Sequence, residues 1–261
     1  MIRKLALSAL TALSLASAPA LAAGEGGHVT DYAFSFEGPF GSYDRAQLQR
    51  GLQVYTEVCS ACHGLELVAF RTLTQETGPG LSAEAARSYA SGFEVPDGEG
   101  GFRPAGTPDH FPGSSMENAP DLSLMAKGRA GFHGPYGLGI NQLLRGMGGP
   151  EYIASFLTGF NGEETEQGGA LFYYNTASGT YVAMPSVLFD GLVEYSDGTA
   201  ATEAQMAQDV AAFLMWAAEP SLTERKKWGF LGVIFLTMLA SLLYLTNKRL
   251  WAPIKSAAKN S

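Results

Sequence analysis

"VCSACHGLELVAF", residues 58–70, contains both cysteines of the 261-residue chain, with His63 directly after the second. A structural zinc site asks for four ligands, and no second cysteine pair is present. A thioredoxin-like redox pair expects a βαβ setting, and none is legible. A disulfide between Cys59 and Cys62 spans only two residues and is strained. In an exported chain, C-x-x-C-H is instead the attachment motif of haem c. Cys59 and Cys62 lie about one helical turn apart, so both sulfurs reach the two vinyl groups of one porphyrin, and His63 supplies the proximal iron ligand. One motif implies one covalently bound haem c.

The motif closes a helix-like stretch. In "SYDRAQLQRGLQVYTEVCSACHG", residues 42–64, Leu48, Leu52, Tyr55 and Cys59 repeat at helical spacing, with Ser42 or Asp44 as N-cap and Gly64 as terminator. Further helices are expected over 82–93, 119–131 (opened by Asp121 or Ser123), 136–147, 149–160 and 202–220. In the last, Thr202 and Gln205 form a capping-box pattern and Pro220 ends the helix. Residues 95–114 read as loop from their Gly, Pro and Asp content, and 161–181 as a loop with room for a hairpin.

Export is written at the N-terminus. Arg3 and Lys4, an apolar run and small residues at Ala20 and Ala22 make residues 1–22 a signal peptide, cut after Ala22 or Ala23. Near the other end, "WGFLGVIFLTMLASLLYLTN", residues 228–247, carries no charge over a length that spans a bilayer. "SLTE", residues 221–224, is a capping box that opens this helix. The expected organisation is an exported haem domain over 24–224, an anchor with its flanks over 225–250 and a tail over 251–261. Flanking basic residues, three before the span and four after, bias orientation weakly. The signal peptide decides it: the haem domain is expected in the periplasm and the C-terminus in the cytoplasm, with a single pass through the bacterial inner membrane.

All 25 Asp and Glu fall between Gly24 and Glu224, against eight Lys and Arg, a formal charge of −17 for the exported part. That field attracts basic partners and argues against nucleic acid. Glu163, Glu164 and Glu166 form its densest cluster.

The iron's sixth position has candidates in Met116, Met125, Met147, Met184, Met206 and Met215, with His28, His110 and His133. Met125, Met206 and Met215 fall within expected helices, where packing is their ordinary role. Spacing leaves Met184 and Met147 open and favours Met184, which sits in a loop before Pro185, far downstream of the motif.

Four blocks and the anchor extend the reading over nearly the whole chain. "RGLQVYTEVCSACHGLELVAFR" (50–71), "NAPDLSLMAKGR" (118–129), "YIASFLTGF" (152–160) and "AMPSVLFDGLVEYSDGTAAT" (183–202) occur in order before the apolar span. Together they resemble the cytochrome c1 family, the haem-c subunits of cytochrome bc1 complexes, of bacterial type. The resemblance implies a mainly α, class I cytochrome c-like haem domain with long loop insertions and one C-terminal transmembrane helix. It implies Met184 as distal iron ligand, Arg129 at a haem propionate, Pro120 beside the proximal histidine, and Tyr152, Leu157 and Phe160 around the haem. It further implies cytochrome b and a Rieske iron–sulfur protein as partners in a dimeric complex, and a soluble basic cytochrome c as acceptor. Some bacterial members carry an extra cysteine pair that tethers the region before the distal methionine; this chain has none. A free-standing, membrane-tethered cytochrome is the alternative, and it expects a flexible linker where "AAEPSLTERKKW" leaves almost no slack. An enzymatic haem protein such as a peroxidase expects an open sixth site or a second haem.

Overall fold

The computed structural model describes residues 27–129, 146 and 148–260. The expected signal peptide, the helix expected over 136–147 apart from Gly146, His133 and Met147 lie outside the described residues. The chain is mainly α, as expected. Helices α1 (Arg45–Val54), α2 (Ala83–Ala90), α3 (Met125–Gly128), α4 (Gly149–Leu157), α5 (Glu203–Ala218) and α6 (Leu222–Asn260) are joined by irregular segments and two small antiparallel sheets.

The head is built on α1 and α5. From α1, Leu48, Leu52 and Val54 are buried, and from α5, Met206, Val210, Phe213, Leu214 and Trp216. The two backbones approach so closely that a Cβ at Gly51 would lie 2.1 Å from the Asp209 carbonyl oxygen. Only glycine fits that crossing. Helix α4 adds Ile153, Ala154 and Leu157 to the same core. An aromatic cluster continues it under the cysteine motif: Phe70 stacks on Phe111 at 4.2 Å, and Tyr55 and Phe93 meet Phe111 edge-on at 5.9 and 5.5 Å.

A buried ion pair fixes the α1–α5 crossing. Arg50 donates through Nε and Nη2 to the two Asp209 oxygens at 2.9 and 3.2 Å, and through Nη1 to Asp197 at 2.8 Å. Gln205 donates to Asp209 at 2.9 Å, and the Arg50 guanidinium lies 5.8 Å from the Tyr195 ring centroid. The Thr199 backbone N–H and then Arg50 hold the Asp197 carboxyl down at about 2. Gln205 thus completes only half of the expected capping box: Thr202 accepts from the Gln205 N–H at 3.2 Å, while the Gln205 side chain serves Asp209.

Several local expectations are corrected. Asp44, not Ser42, caps α1, accepting from Gln47 N–H at 3.1 Å. Neither Asp121 nor Ser123 caps α3, whose N-cap position is Leu124 with no side-chain cap bond. Inside the expected loop, β1 (Glu94–Pro96) pairs with β2 (Phe102–Pro104). The glycines that read as loop supply its turn, Gly98 and Gly100 having φ of 83° and 94°. The hairpin allowed for within 161–181 is present and extends to three strands in order: β3 (Phe160–Gln167), β4 (Ala170–Asn175) and β5 (Thr180–Val182). The acidic cluster is therefore on a strand, with Glu163, Glu164 and Glu166 exposed on β3.

Helix α4 begins with Gly148 as a left-handed N-cap (φ 71°) and Pro150 in the first turn. Glu151 follows, 1% exposed, with Oε2 unbonded among the described residues. Burial first, then the charges of Glu37 and Asp31, push its carboxyl from 4.5 up to about 7. Between those values the folded state keeps a proton that the unfolded state has lost. Its stabilising contribution is full below about pH 4.5 and is lost as pH rises through about 7. Glu151→Gln is expected to flatten that loss and gain on the order of 2 kcal/mol at about pH 8. Thermal unfolding across the pH range checks this; parallel wild-type and variant curves would count against it.

Helix α6 starts three residues after α5 and runs unbroken through Pro253, so residues 251–260 of the expected tail continue the anchor helix. Its apolar surface, including Phe235, Leu236, Leu242 and Leu243, is exposed, and none of its apolar window is buried against the head. Such a surface is stable in lipid and costly in water.

Candidate haem site

The motif lies on a distortion. After Val54, α1 widens into a π-turn over Tyr55–Cys59, closed by Ser60 N–H donating to the Tyr55 carbonyl at 2.8 Å. Such turns recur at functional sites. The chain then tightens: the Cys59 carbonyl accepts from Cys62 N–H at 3.1 Å and His63 N–H at 2.9 Å. Both cysteines are free and half-buried, one turn apart. Burial, then Cys62, push the Cys59 thiol up to about 12. That environment disfavours a thiolate and accepts an uncharged sulfur, such as a thioether.

His63 is held from across the chain. Its Nδ1 lies 2.7 Å from the Pro120 carbonyl oxygen. A carbonyl only accepts, so Nδ1 carries a proton, and in the neutral imidazole the lone pair then lies on Nε2. This is how a metal-ligating histidine is oriented by its second contact. Tyr55 hydroxyl donates to the His63 carbonyl at 3.0 Å.

The segment 113–123 is laced onto the motif. Gly64 N–H donates to Ser114 Oγ at 3.0 Å, Ser115 Oγ to the Ala61 carbonyl at 2.6 Å, and Leu122 N–H to the Gly64 carbonyl at 2.9 Å. Glu66 and Leu67 N–H donate to Asp121 and Ser123 at 2.9 and 3.1 Å. At Gly64, a Cβ would stand 2.3 Å from the Gly113 carbonyl carbon. Sequence reasoning missed Tyr55, Ser114, Ser115, Asp121 and Ser123 as site-shaping residues. The signal was faint: Tyr55 reads as part of the apolar helix face, and the other four lie in a Ser- and Asp-bearing stretch around Pro120.

Arg129 and Tyr152 come together, the guanidinium 5.9 Å from the ring centroid. The two helices behind them pack tightly, since a Cβ at Gly149 would lie 1.7 Å from the Ala126 carbonyl oxygen. Tyr152, Phe156 and Phe160 form a ladder with centroids 6.1 and 5.6 Å apart. Phe156 was overlooked, although it lies four residues from each of the other two. Leu157 is buried in the main core.

Met184 follows β5, half-buried and packed against the core, as are Val58, Cys59, Leu122, Met125 and Val187. Met206 is fully buried inside α5, and Met116 is 55% exposed. The structure thus brings Cys59, Cys62, His63 and Pro120 into one constellation, and Arg129 and Tyr152 into another. The Cys59 environment, which accepts an uncharged sulfur, and the His63 ring oriented through Nδ1 fit a covalently held haem.

Comparison with known proteins agrees over the whole chain. The model of the "Cytochrome C1 family" matches residues 34–254. Cytochrome c1 of Cereibacter sphaeroides is 55% identical, covering all of both chains. Cytochrome c1 of Rhodobacter capsulatus is 49% identical over 97% of this chain and 98% of its own. A protein named cytochrome b/c1 from Bradyrhizobium diazoefficiens is 40% identical over 84% of this chain and 35% of its own length. With a C-terminal helix long and apolar enough to span a membrane, the chain belongs to the cytochrome c1 family, the membrane-anchored electron-carrier subunits of cytochrome bc1 complexes with one covalently bound haem c.

Proposed function

We propose that this chain takes single electrons from a Rieske iron–sulfur protein and passes them to a soluble basic cytochrome c, within a dimeric complex built on cytochrome b. Haem c, when bound, supplies a ferric/ferrous couple that carries one electron. Cys59 and Cys62 would hold it covalently, His63 Nε2 and Met184 would ligate the iron, and Arg129 would pair with a propionate. Pro120 keeps His63 in the ligating tautomer, and Tyr152, Leu157 and Phe160 would exclude water from the ring. The observation that carries this reading is the 2.7 Å contact from His63 Nδ1 to the Pro120 carbonyl. On this reading, residues 24–224 stand in the periplasm, 225–250 anchor the chain in the inner membrane and 251–261 reach the cytoplasm.

The head–anchor junction supports a fixed subunit over a tethered shuttle. Glu219 accepts from Lys127 of α3 and, at 2.7 Å, from Arg225 of α6. Tyr43 hydroxyl shares its proton between the Met215 and Glu219 carbonyls at 3.2 and 3.0 Å. Burial, then the Glu219 charge, hold that hydroxyl well above the usual tyrosine range, so it remains a donor. Only Glu219, Pro220 and Ser221 separate α5 from α6.

The acidic field supports a basic acceptor. Stopped-flow oxidation of the reduced protein by a basic cytochrome c is expected to slow steeply between low and moderate salt, as the Debye length falls to about 8 Å. The loss should lie in the association rate. Replacing Glu163, Glu164 and Glu166 together by Gln should weaken the salt dependence and leave the haem spectrum unchanged. A rate indifferent to salt would refute electrostatic recruitment, and an unchanged slope in the triple variant would clear β3 of that role.

A further inference from the structure

We propose that the head–anchor junction carries a binding site for one anionic phospholipid. A hollow of about 290 Å³ lies where the 39–41 loop overhangs the first turns of α6, lined by Pro39, Phe40, Gly41, Thr223, Lys226, Lys227, Phe230 and Leu231. Three observations point to one occupant. Phe40 is 73% exposed, and its ring meets Phe230 edge-on at 5.1 Å. Two aromatic rings stand exposed at the start of the apolar span, where an acyl chain covers them and water does not. Lys226 and Lys227 flank the same hollow on the head side of those rings. Lys226 donates to the Phe36 carbonyl, which pins its ammonium at the hollow, and Lys227 is exposed. Thr223 Oγ1, between the lysines and the α5 end, is buried without a hydrogen-bond partner among the described residues. A buried hydroxyl of that kind asks for an acceptor.

The order along α6 is therefore hydroxyl and cations first, aromatic and aliphatic side chains next. That is the order of a phospholipid: phosphate and ester oxygens at the headgroup level, hydrocarbon below. Two cations and a lone donor select an anionic headgroup over a zwitterionic one, whose own ammonium meets the lysines unfavourably. Lipid seated there would fill the wedge between Phe40 and Phe230, and so brace α6 against the head beside the Glu219 and Tyr43 contacts. Such a site requires only that the anchor lie in a membrane, whatever the direction of crossing or the electron-transfer partners.

The test uses the assembled complex, purified in detergent and re-equilibrated with mixed micelles containing equal parts of phosphatidylcholine and phosphatidylglycerol. Native mass spectrometry and lipid analysis read the lipid retained. Wild type should keep phosphatidylglycerol in preference to phosphatidylcholine. Lys227→Gln, at an exposed position, should weaken retention about fivefold, and Lys226→Gln with Lys227→Gln should abolish the preference. Thr223→Val keeps the charge and should still loosen the lipid. The haem spectrum checks that each variant is folded. Equal retention of both lipids, or retention unchanged in Lys227→Gln and Thr223→Val alike, would overturn the proposal. So would a crosslink from Phe40 to cytochrome b in place of lipid.

Discussion

Replacing Met184 by leucine is expected to leave the haem attached and to lower its reduction potential by on the order of 0.1–0.3 V, within the roughly 0.8 V range that axial ligands span. The two functions separate because different bonds carry them. Cys59 and Cys62 would hold the porphyrin covalently, and His63 Nδ1 stays fixed by the Pro120 carbonyl at 2.7 Å. The Met184 thioether would instead tune the iron: a soft, uncharged donor favours the ferrous state and raises the potential. Leucine conserves volume at a half-buried position packed on the core, so the head should remain folded. A lower potential then makes electron acceptance from a high-potential donor unfavourable, and flow to the acceptor should fail. Redox titration of the full chain measures the shift. A potential unchanged in Met184→Leu, with the loss appearing on substitution of Met125 or Met147, would remove Met184 from the iron.

The second large effect concerns stability. Arg50→Ala should destabilise the head by about 3–5 kcal/mol, because Asp209 is then left as a buried, uncompensated charge. Asp209 is fully buried, and Gln205 would be its remaining side-chain donor among the described residues. For a domain of this size the midpoint should fall by about 10 °C or more. Asp197→Ala should cost far less, within about 1 kcal/mol, since its side chain is 39% exposed and solvent screens the pair. Thermal unfolding followed by circular dichroism distinguishes the two. Similar losses in both variants would mean that the Arg50–Asp209 pair is not the clamp. The site should feel this change, because the cysteine turn follows directly from the end of α1 and α5 holds α1 in place.

The legible features were those set by local chemistry. The long helices α1, α5 and α6 could be read because their apolar spacing, caps and uncharged length are properties of neighbouring residues. Helix α4 was legible for the same reason. The short strands were not. β1 and β2 are three residues each, and their pairing of Val95 with Arg103 joins residues on either side of a Gly-rich turn that reads only as loop. α3 was misread at its start because Asp121 and Ser123 spend their side chains on the motif's N–H groups, 55 and 56 residues back in the chain. A capping residue and a long-range clamp look alike in sequence.

By itself the sequence determined that the chain holds a haem-attachment motif and an apolar span, because covalent spacing and bilayer length are written in consecutive residues. Tertiary structure alone decided how those parts act together. The His63 tautomer rests on a carbonyl 57 residues away, the α1–α5 crossing on an Arg50–Asp209 pair 159 residues apart, and the rigid anchor on Glu219 meeting Lys127 and Arg225. Such contacts form only when the fold brings distant elements together and leaves their polar groups within reach of one another, and no local pattern in the chain records which partner that is.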